Sequence, residues 1–217
     1  LTQHEPSIRR AFTILVGISW ITGAAAVADL MRVGMAVRDI TPKDPIWLGG
    51  YAARTHPATN ADTPLLVQAL ALENPTGERF VFVALDNCEV SGDFIAPSLR
   101  ALEQRHALAR GAVMIVCSHT HSGPVLEGSL LGMYPLSEAN REQVIAYGRK
   151  LKEKTAEVVD AALAETQPAV MEHAIGHAAF ATNRRVQGEK AWGFGENPQG
   201  PVDDEVVAGI APLTVRR

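Results

Sequence analysis

From Arg32 onward, apolar and polar positions follow patterns that divide the chain into elements. Val33, Met35 and Val37 alternate with smaller or polar residues, the period of a strand, and the run ends at Asp39-Ile40-Thr41-Pro42. A loop holding Gly49-Gly50-Tyr51 follows. Pro64 to Glu73 is apolar enough for a buried strand, Pro75-Thr76-Gly77 is a turn, and Arg79 to Asp86 is a second dense apolar strand, so the two predict a hairpin. Ile95, Leu99, Leu102 and His106 then fall on one helical face, with Asp93 as the expected N-cap and Pro97 in the first turn. Gly111 to Cys117 returns to a strand pattern. Strand, helix and strand in so short a span form a βαβ unit, which requires parallel pairing.

The second half begins with a long helix from about Ser137 to Glu165, with Val144, Tyr147, Leu151, Val158 and Ala162 as its apolar stripe and Pro168 beyond its end. Ala169 to Thr182 reads as one strand, Asn183 to Gly200 as a Gly-rich aromatic loop, and Val206 to Val215 as a last strand. The fold class expected is therefore α/β: a mixed sheet with a βαβ unit and flanking helices.

The first residues follow other rules. Arg9-Arg10, a short apolar run from Ala11, and Ala24-Ala25-Ala26-Val27-Ala28 before Asp29 have the layout of an export signal. Residues 1–31 are accordingly read as a targeting segment and 32–217 as the folded part. The apolar run is shorter than a membrane span of about 20 residues. This gives an exported protein, periplasmic or extracellular, or a cytoplasmic one if translation starts at Met31.

Composition narrows the picture modestly. The 217 residues carry a formal net charge of -4, with no basic run to suggest nucleic acid. Cys88 and Cys117, the two cysteines, make no disulfide framework and no thiol zinc site by spacing alone; both end apolar runs and read as buried free thiols.

The chemistry concentrates in His119-Thr120-His121-Ser122-Gly123-Pro124, directly after the Gly111–Cys117 strand. Two His at i and i+2 of extended chain point to the same side. At the carboxyl end of a parallel strand they occupy the edge where ligands collect in open α/β sheets. They are either metal ligands or a hydrogen-bonded pair; a catalytic zinc needs three protein ligands, and the pair supplies at most two. Asp86, ending the neighbouring strand, either orients an imidazole or caps a turn. Ser122 lacks the surroundings of a nucleophile elbow. Gly49-Gly50 permit close backbone approach or simply turn the chain. Arg184 suits a polar or anionic group, or is a solvated charge. His173 and His177, four apart in an extended stretch, lie about 13 Å apart and form no pair. His4, His56 and His106 belong to no constellation.

In this order, Asp39-Ile40-Thr41-Pro42, Gly49-Gly50-Tyr51, the strand ending at Asp86, His119-Thr120-His121-Ser122-Gly123-Pro124, Asn183-Arg184-Arg185 and Gly200-Pro201-Val202-Asp203-Asp204-Glu205 resemble the neutral/alkaline non-lysosomal ceramidase family. The resemblance runs from about Arg32 to the end and is most specific in the His-Thr-His-Ser-Gly-Pro run. It implies a zinc-dependent amidohydrolase that cleaves N-acylsphingosine, a ceramide-like lipid amide, to fatty acid and sphingoid base. On this likeness His119 matches a zinc ligand, His121 a catalytic residue near the scissile amide, Arg184 an active-site arginine, and Gly50 a glycine whose backbone faces substrate. Asp86 remains either a carboxylate that orients an imidazole or the cap of a turn. The family's remaining ligands (a second His, a Glu and a Tyr) lie further along than Arg217. The chain is therefore expected to be the N-terminal portion of an incomplete catalytic domain, weakly active or inactive alone, whose partner is the missing C-terminal part of the same polypeptide. The same fold serving other amides or esters, or a non-catalytic ligand-binding domain, are the alternatives.

Overall fold

The structure, a computed structural model, describes residues 30–170 and 173–209. The targeting segment read from residues 1–31 lies outside them except for its last two positions, and Met31 already opens the first strand.

Strands β1 (Met31–Asp39), β2 (Leu66–Glu73) and β3 (Arg79–Leu85) form an antiparallel meander, with Asn74 to Gly77 turning β2 into β3. Helix α1 (Gly92–Arg105) then crosses to β4 (Val113–Cys117), which pairs in parallel with β3. Helix α2 (Glu138–Ala164) leads to the short β5 (Gln167–Ala169), which pairs with β1. The sheet order is β4-β3-β2-β1-β5, and β3–β4 is the only parallel pair among the described strands. This is the mixed α/β sheet that the sequence pattern predicts, with its βαβ unit at one edge.

Both helices pack on one face of the sheet. Val67, Ala69, Ala71, Val81, Val83 and Leu85 meet Phe94, Ile95 and Leu102 of α1 and Leu151, Val158, Val159 and Ala162 of α2. Gly34 of β1 lies under the carbonyl of Ala162, so close that any side chain there would overlap it. Burying these aliphatic side chains stabilises the fold by about 25 cal/mol per Å² of apolar surface removed from water. Helix ends follow their capping chemistry: Ser137 Oγ accepts from Asn140 N at the start of α2. At α1 the cap is Ser91, not Asp93, because its Oγ accepts from Phe94 N. Pro97 consequently lies past the first turn, where it removes one intrahelical hydrogen bond.

The opposite face of the sheet is apolar and uncovered among the described residues. Met35, Val37, Phe82, Met114 and Val116 share it by register and are exposed.

Beyond β5 the expected long strand is divided. It gives β5 and then β6 (His173–His177), which pairs with β9 (Glu205–Gly209), the described portion of the expected last strand. The Gly-rich loop contains a hairpin of its own, β7 (Arg185–Gln187) with β8 (Trp192–Phe194). These ribbons expose Ile175, Trp192 and Phe194. No helix among the described residues is long and apolar enough to cross a membrane.

Candidate functional site

The site forms where the chain leaves the two parallel strands. Ser118 N donates to Leu85 O at 3.0 Å, so the segments following β3 and β4 start side by side. Asn87, fully buried, joins them: its Nδ2 donates to Pro124 O at 3.2 Å and its Oδ1 accepts from Cys88 N at 2.6 Å. The loop after β1 closes the third side. Gly49 N donates to Gly123 O at 2.8 Å and Val125 N to Trp47 O at 2.9 Å. Trp47 is anchored in turn by Tyr134, Leu136 and Val144. Backbone pairing between segments far apart in sequence thus carries Gly50 to the His loop.

The His-x-His backbone is not extended, as the i, i+2 argument assumed. His119 has φ +57, in the left-handed region, a conformation that costs a non-glycine residue about 1 kcal/mol or more. The rings converge all the same. Their Nε2 atoms are 3.4 Å apart, with centroids at 5.0 Å and planes at 77°. His119 Nδ1 is 2.8 Å from Cys88 O. A carbonyl only accepts, so Nδ1 carries the proton and Nε2 presents its lone pair. His119 is exposed and His121 half-buried, so the pair faces solvent and is not a buried core pair.

His121 is held from three directions. Its ring packs against Gly50, whose φ of +98 and missing side chain make the contact possible. The Tyr51 ring meets it edge-on at 4.6 Å. Arg54 Nη2 donates to its carbonyl, and the Arg54 guanidinium lies 5.4 Å from the Tyr51 ring centroid. Gly50 was singled out in sequence for a backbone facing substrate; here it is the platform for His121. Arg54 was not singled out, because nothing in the sequence distinguishes it from a surface charge.

Asp86 does not touch either ring among the described hydrogen bonds. Its Oδ2 accepts from Leu66 N at 3.0 Å and its own N donates to Leu66 O at 2.9 Å, tying the end of β3 to the start of β2. The acceptor that orients His119 is the Cys88 carbonyl. Arg184 lies beside the β7–β8 hairpin, its carbonyl accepting from Gly195 N at 3.3 Å, and no described hydrogen bond joins its guanidinium to the histidines. Ser122 is exposed, and its N donates to Thr120 Oγ1 at 3.3 Å. A polar cavity of about 580 Å³ is lined by Thr41, Asp62, Asp86, Thr120 and Ser122, but by neither imidazole. His177 is on exposed β6, 3.3 Å from Asp204 Oδ1, and His106 meets Asp160 at 2.7 Å, away from this site.

Cys88, a buried free thiol as its apolar surroundings in sequence predict, lies beside the pair, whereas Cys117, expected to be buried as well, is half-buried. The Cys88 Sγ is 3.7 Å from His119 Nδ1, and Sγ and one nitrogen of each ring lie within 4.8 Å of one another. Burial, and then the nearby Glu89 charge, push the Cys88 thiol above its ordinary range. Cys117 is raised chiefly by burial, and both thiols are free. The donor set fits a metal of the zinc type. Two nitrogens bound at about 2.0–2.1 Å in tetrahedral geometry stand roughly 3.3–3.4 Å apart. The Nε2 atoms have that separation already.

Known structures place this fold. It is similar to the neutral ceramidase from Pseudomonas aeruginosa, with a TM-score of 0.60 and 21% sequence identity over 72% of this chain and 25% of that one. A ceramidase solved in complex with C2 is similar at a TM-score of 0.57 and 19% identity, over 72% of this chain and 24% of the other. The chain spans about a quarter of the length of these ceramidases. No protein-family model matches it, and no curated protein does.

Proposed function

We propose that this chain carries part of the catalytic centre of a metal-dependent amidohydrolase acting on a lipid amide of the N-acylsphingosine kind. The observation that carries the reading is the pair of Nε2 atoms 3.4 Å apart at the carboxyl edge of the parallel strands, in a fold whose solved neighbours are ceramidases. His119 would hold the metal through Nε2, with its ring fixed by the Cys88 carbonyl. A bound zinc ion supplies a water of lowered pKa and polarises the amide carbonyl. In the hydrolase His121, braced by Gly50, Tyr51 and Arg54, would leave the metal to His119 and hold a proton for the substrate amide. Arg184 and the remaining metal ligands would be brought to the centre with polypeptide outside these 217 residues. Export, read from residues 9–28, belongs to the same proposal.

The test is fatty-acid release from N-acylsphingosine by the purified chain with zinc. The expected result is slow turnover, lost with a chelator and in His119→Ala. Release that survives both would overturn the reading. Metal-dependent hydrolysis of water-soluble amides or esters, with none of ceramide, would favour a same-fold hydrolase of other substrates. A folded chain that binds no metal would favour a non-catalytic ligand-binding domain.

A further inference from the structure

We infer that the polar cavity beside the histidine loop binds a hydroxylated primary ammonium compound, an amino sugar or an amino alcohol. The inference rests on neither the metal nor the amide substrate.

The cavity holds about 580 Å³, inside the range of roughly 300–1,000 Å³ usual for ligand pockets. Backbone pairing fixes its walls. Ile40 N donates to Leu65 O at 2.9 Å, which closes the long loop between β1 and β2 at its base. Ile46 N donates to Ala58 O at 3.1 Å and Ala58 N to Ile46 O at 2.9 Å, which pinches the same loop across its middle. Thr120 and Ser122 supply the wall from the His loop, and neither imidazole lines it. A ligand there touches the loop that carries the histidines without touching their rings.

The polar groups of the floor are incompletely partnered. Asp86 Oδ2 accepts from Leu66 N, while Oδ1 has no partner among the described hydrogen bonds. Thr41 Oγ1 accepts from Leu65 N and Thr120 Oγ1 from Ser122 N, so both hydroxyl hydrogens are free to be donated. All three side chains belong to half-buried residues, where a ligand that completes their bonding is favoured. Ile46, Leu48 and Leu65 add an apolar wall for the carbon frame of the ligand.

Charge sets the sign of that ligand. Asp44, Asp62 and Asp86 line the cavity, and none of them forms an ion pair among the described residues. Lys43 is the one cation among the lining residues. Asn60 Nδ2 donates to Asp62 Oδ1 at 3.2 Å and holds that carboxylate at the rim. The three carboxylates do not converge as metal ligands; among the described residues only the cluster at the histidines is tight enough for that. Acceptors and hydroxyls spread around a cavity match one ammonium on a carbon frame with several hydroxyls, not a single ion.

The experiment follows backbone amide NMR signals of the isotope-labelled full chain. It is titrated with glucosamine and with serinol, each beside its uncharged counterpart, glucose or glycerol. The expected result is saturable shifts at Thr41, Asp62, Thr120 and Ser122 with at least one ammonium compound, and binding of its counterpart about tenfold weaker. Glucosamine alone identifies a sugar ring as the natural frame, and serinol alone an open chain. Asp44→Asn with Asp62→Asn, both on the exposed rim, should cost about tenfold in affinity and leave the remaining spectrum unchanged. Added sodium chloride should weaken ammonium binding to the wild-type chain, a reading that does not depend on the variant folding. Equal binding of charged and uncharged compounds, shifts confined to other surfaces, an affinity indifferent to salt or to the paired substitution, or no saturable shift with either ammonium compound overturns the inference.

Discussion

The ring of His121 occupies the space that a side chain on Gly50 would fill. A Cβ there would overlap the imidazole, and φ at Gly50 is +98, outside the range that other residues adopt without strain. Gly50→Ala therefore cannot be absorbed by a small shift. The expected outcome is a loss of about 2 kcal/mol of stability together with a displaced His121. Thermal unfolding and the His121 ring resonances in NMR check it. An unchanged melting temperature with unmoved resonances would show that the loop tolerates a side chain there.

Much of the frame was legible because it follows period and capping. Alternation at Val33, Met35 and Val37, the Pro75–Gly77 turn and the stripe from Val144 to Ala162 all mark elements present in the structure. The His pair was legible as a site because a polar run follows an apolar strand. Its geometry was not legible. Period-two reasoning assumes an extended backbone, and His119 leaves it at φ +57. Cys88 and Arg54 were invisible because their roles come from long-range backbone pairing, not from their sequence neighbours. The C-terminal ribbons were misread for a related reason. Ala169–Thr182 reads as one strand, yet β5 ends at Ala169 and β6 covers His173–His177, exposed along its whole length.

Asp160 ties the two helices together. Its Oδ2 accepts from Arg105 Nη1 at 2.6 Å and its Oδ1 meets His106 Nε2 at 2.7 Å, both on or at the end of α1. The carboxylate and the guanidinium are each well exposed, so solvent and salt screen the interaction. Asp160→Ala is expected to cost about 1 kcal/mol in low salt and less in high salt. Urea unfolding at two ionic strengths measures this. A cost that does not change with salt would mean that packing, not charge, joins the helices.

Met114 and Val116 lie on edge strand β4, on the uncovered sheet face with Phe82, Met35 and Val37. A contiguous apolar patch of this kind promotes self-association. Replacing both residues by Lys should reduce association in sedimentation velocity while changing folding stability by no more than about 0.5–1 kcal/mol, because neither side chain is buried. If the wild-type chain sediments as a monomer at the same concentrations, the patch is not adhesive.

Tyr147 joins α2 to the end of β1 by donating from Oη to Ile40 O at 3.0 Å. Burial, and secondarily the Asp39 charge, push the phenol well above its ordinary value, so the native state keeps it protonated. The sign of the pH effect follows. Below the ordinary phenol value of about 10 both states hold the proton and the contribution is complete. Above it the unfolded chain gives up the proton while the native state keeps it, and stability falls by about 1.4 kcal/mol per pH unit. Tyr147→Phe deletes the hydrogen bond, costing about 1 kcal/mol near pH 7, and also deletes this alkaline slope. The two stability curves should therefore converge near pH ~11, with the variant the less steep. Urea midpoints measured from neutral to alkaline pH test this. Parallel curves across that range would mean that Tyr147 ionises as readily in the folded protein as in the unfolded chain.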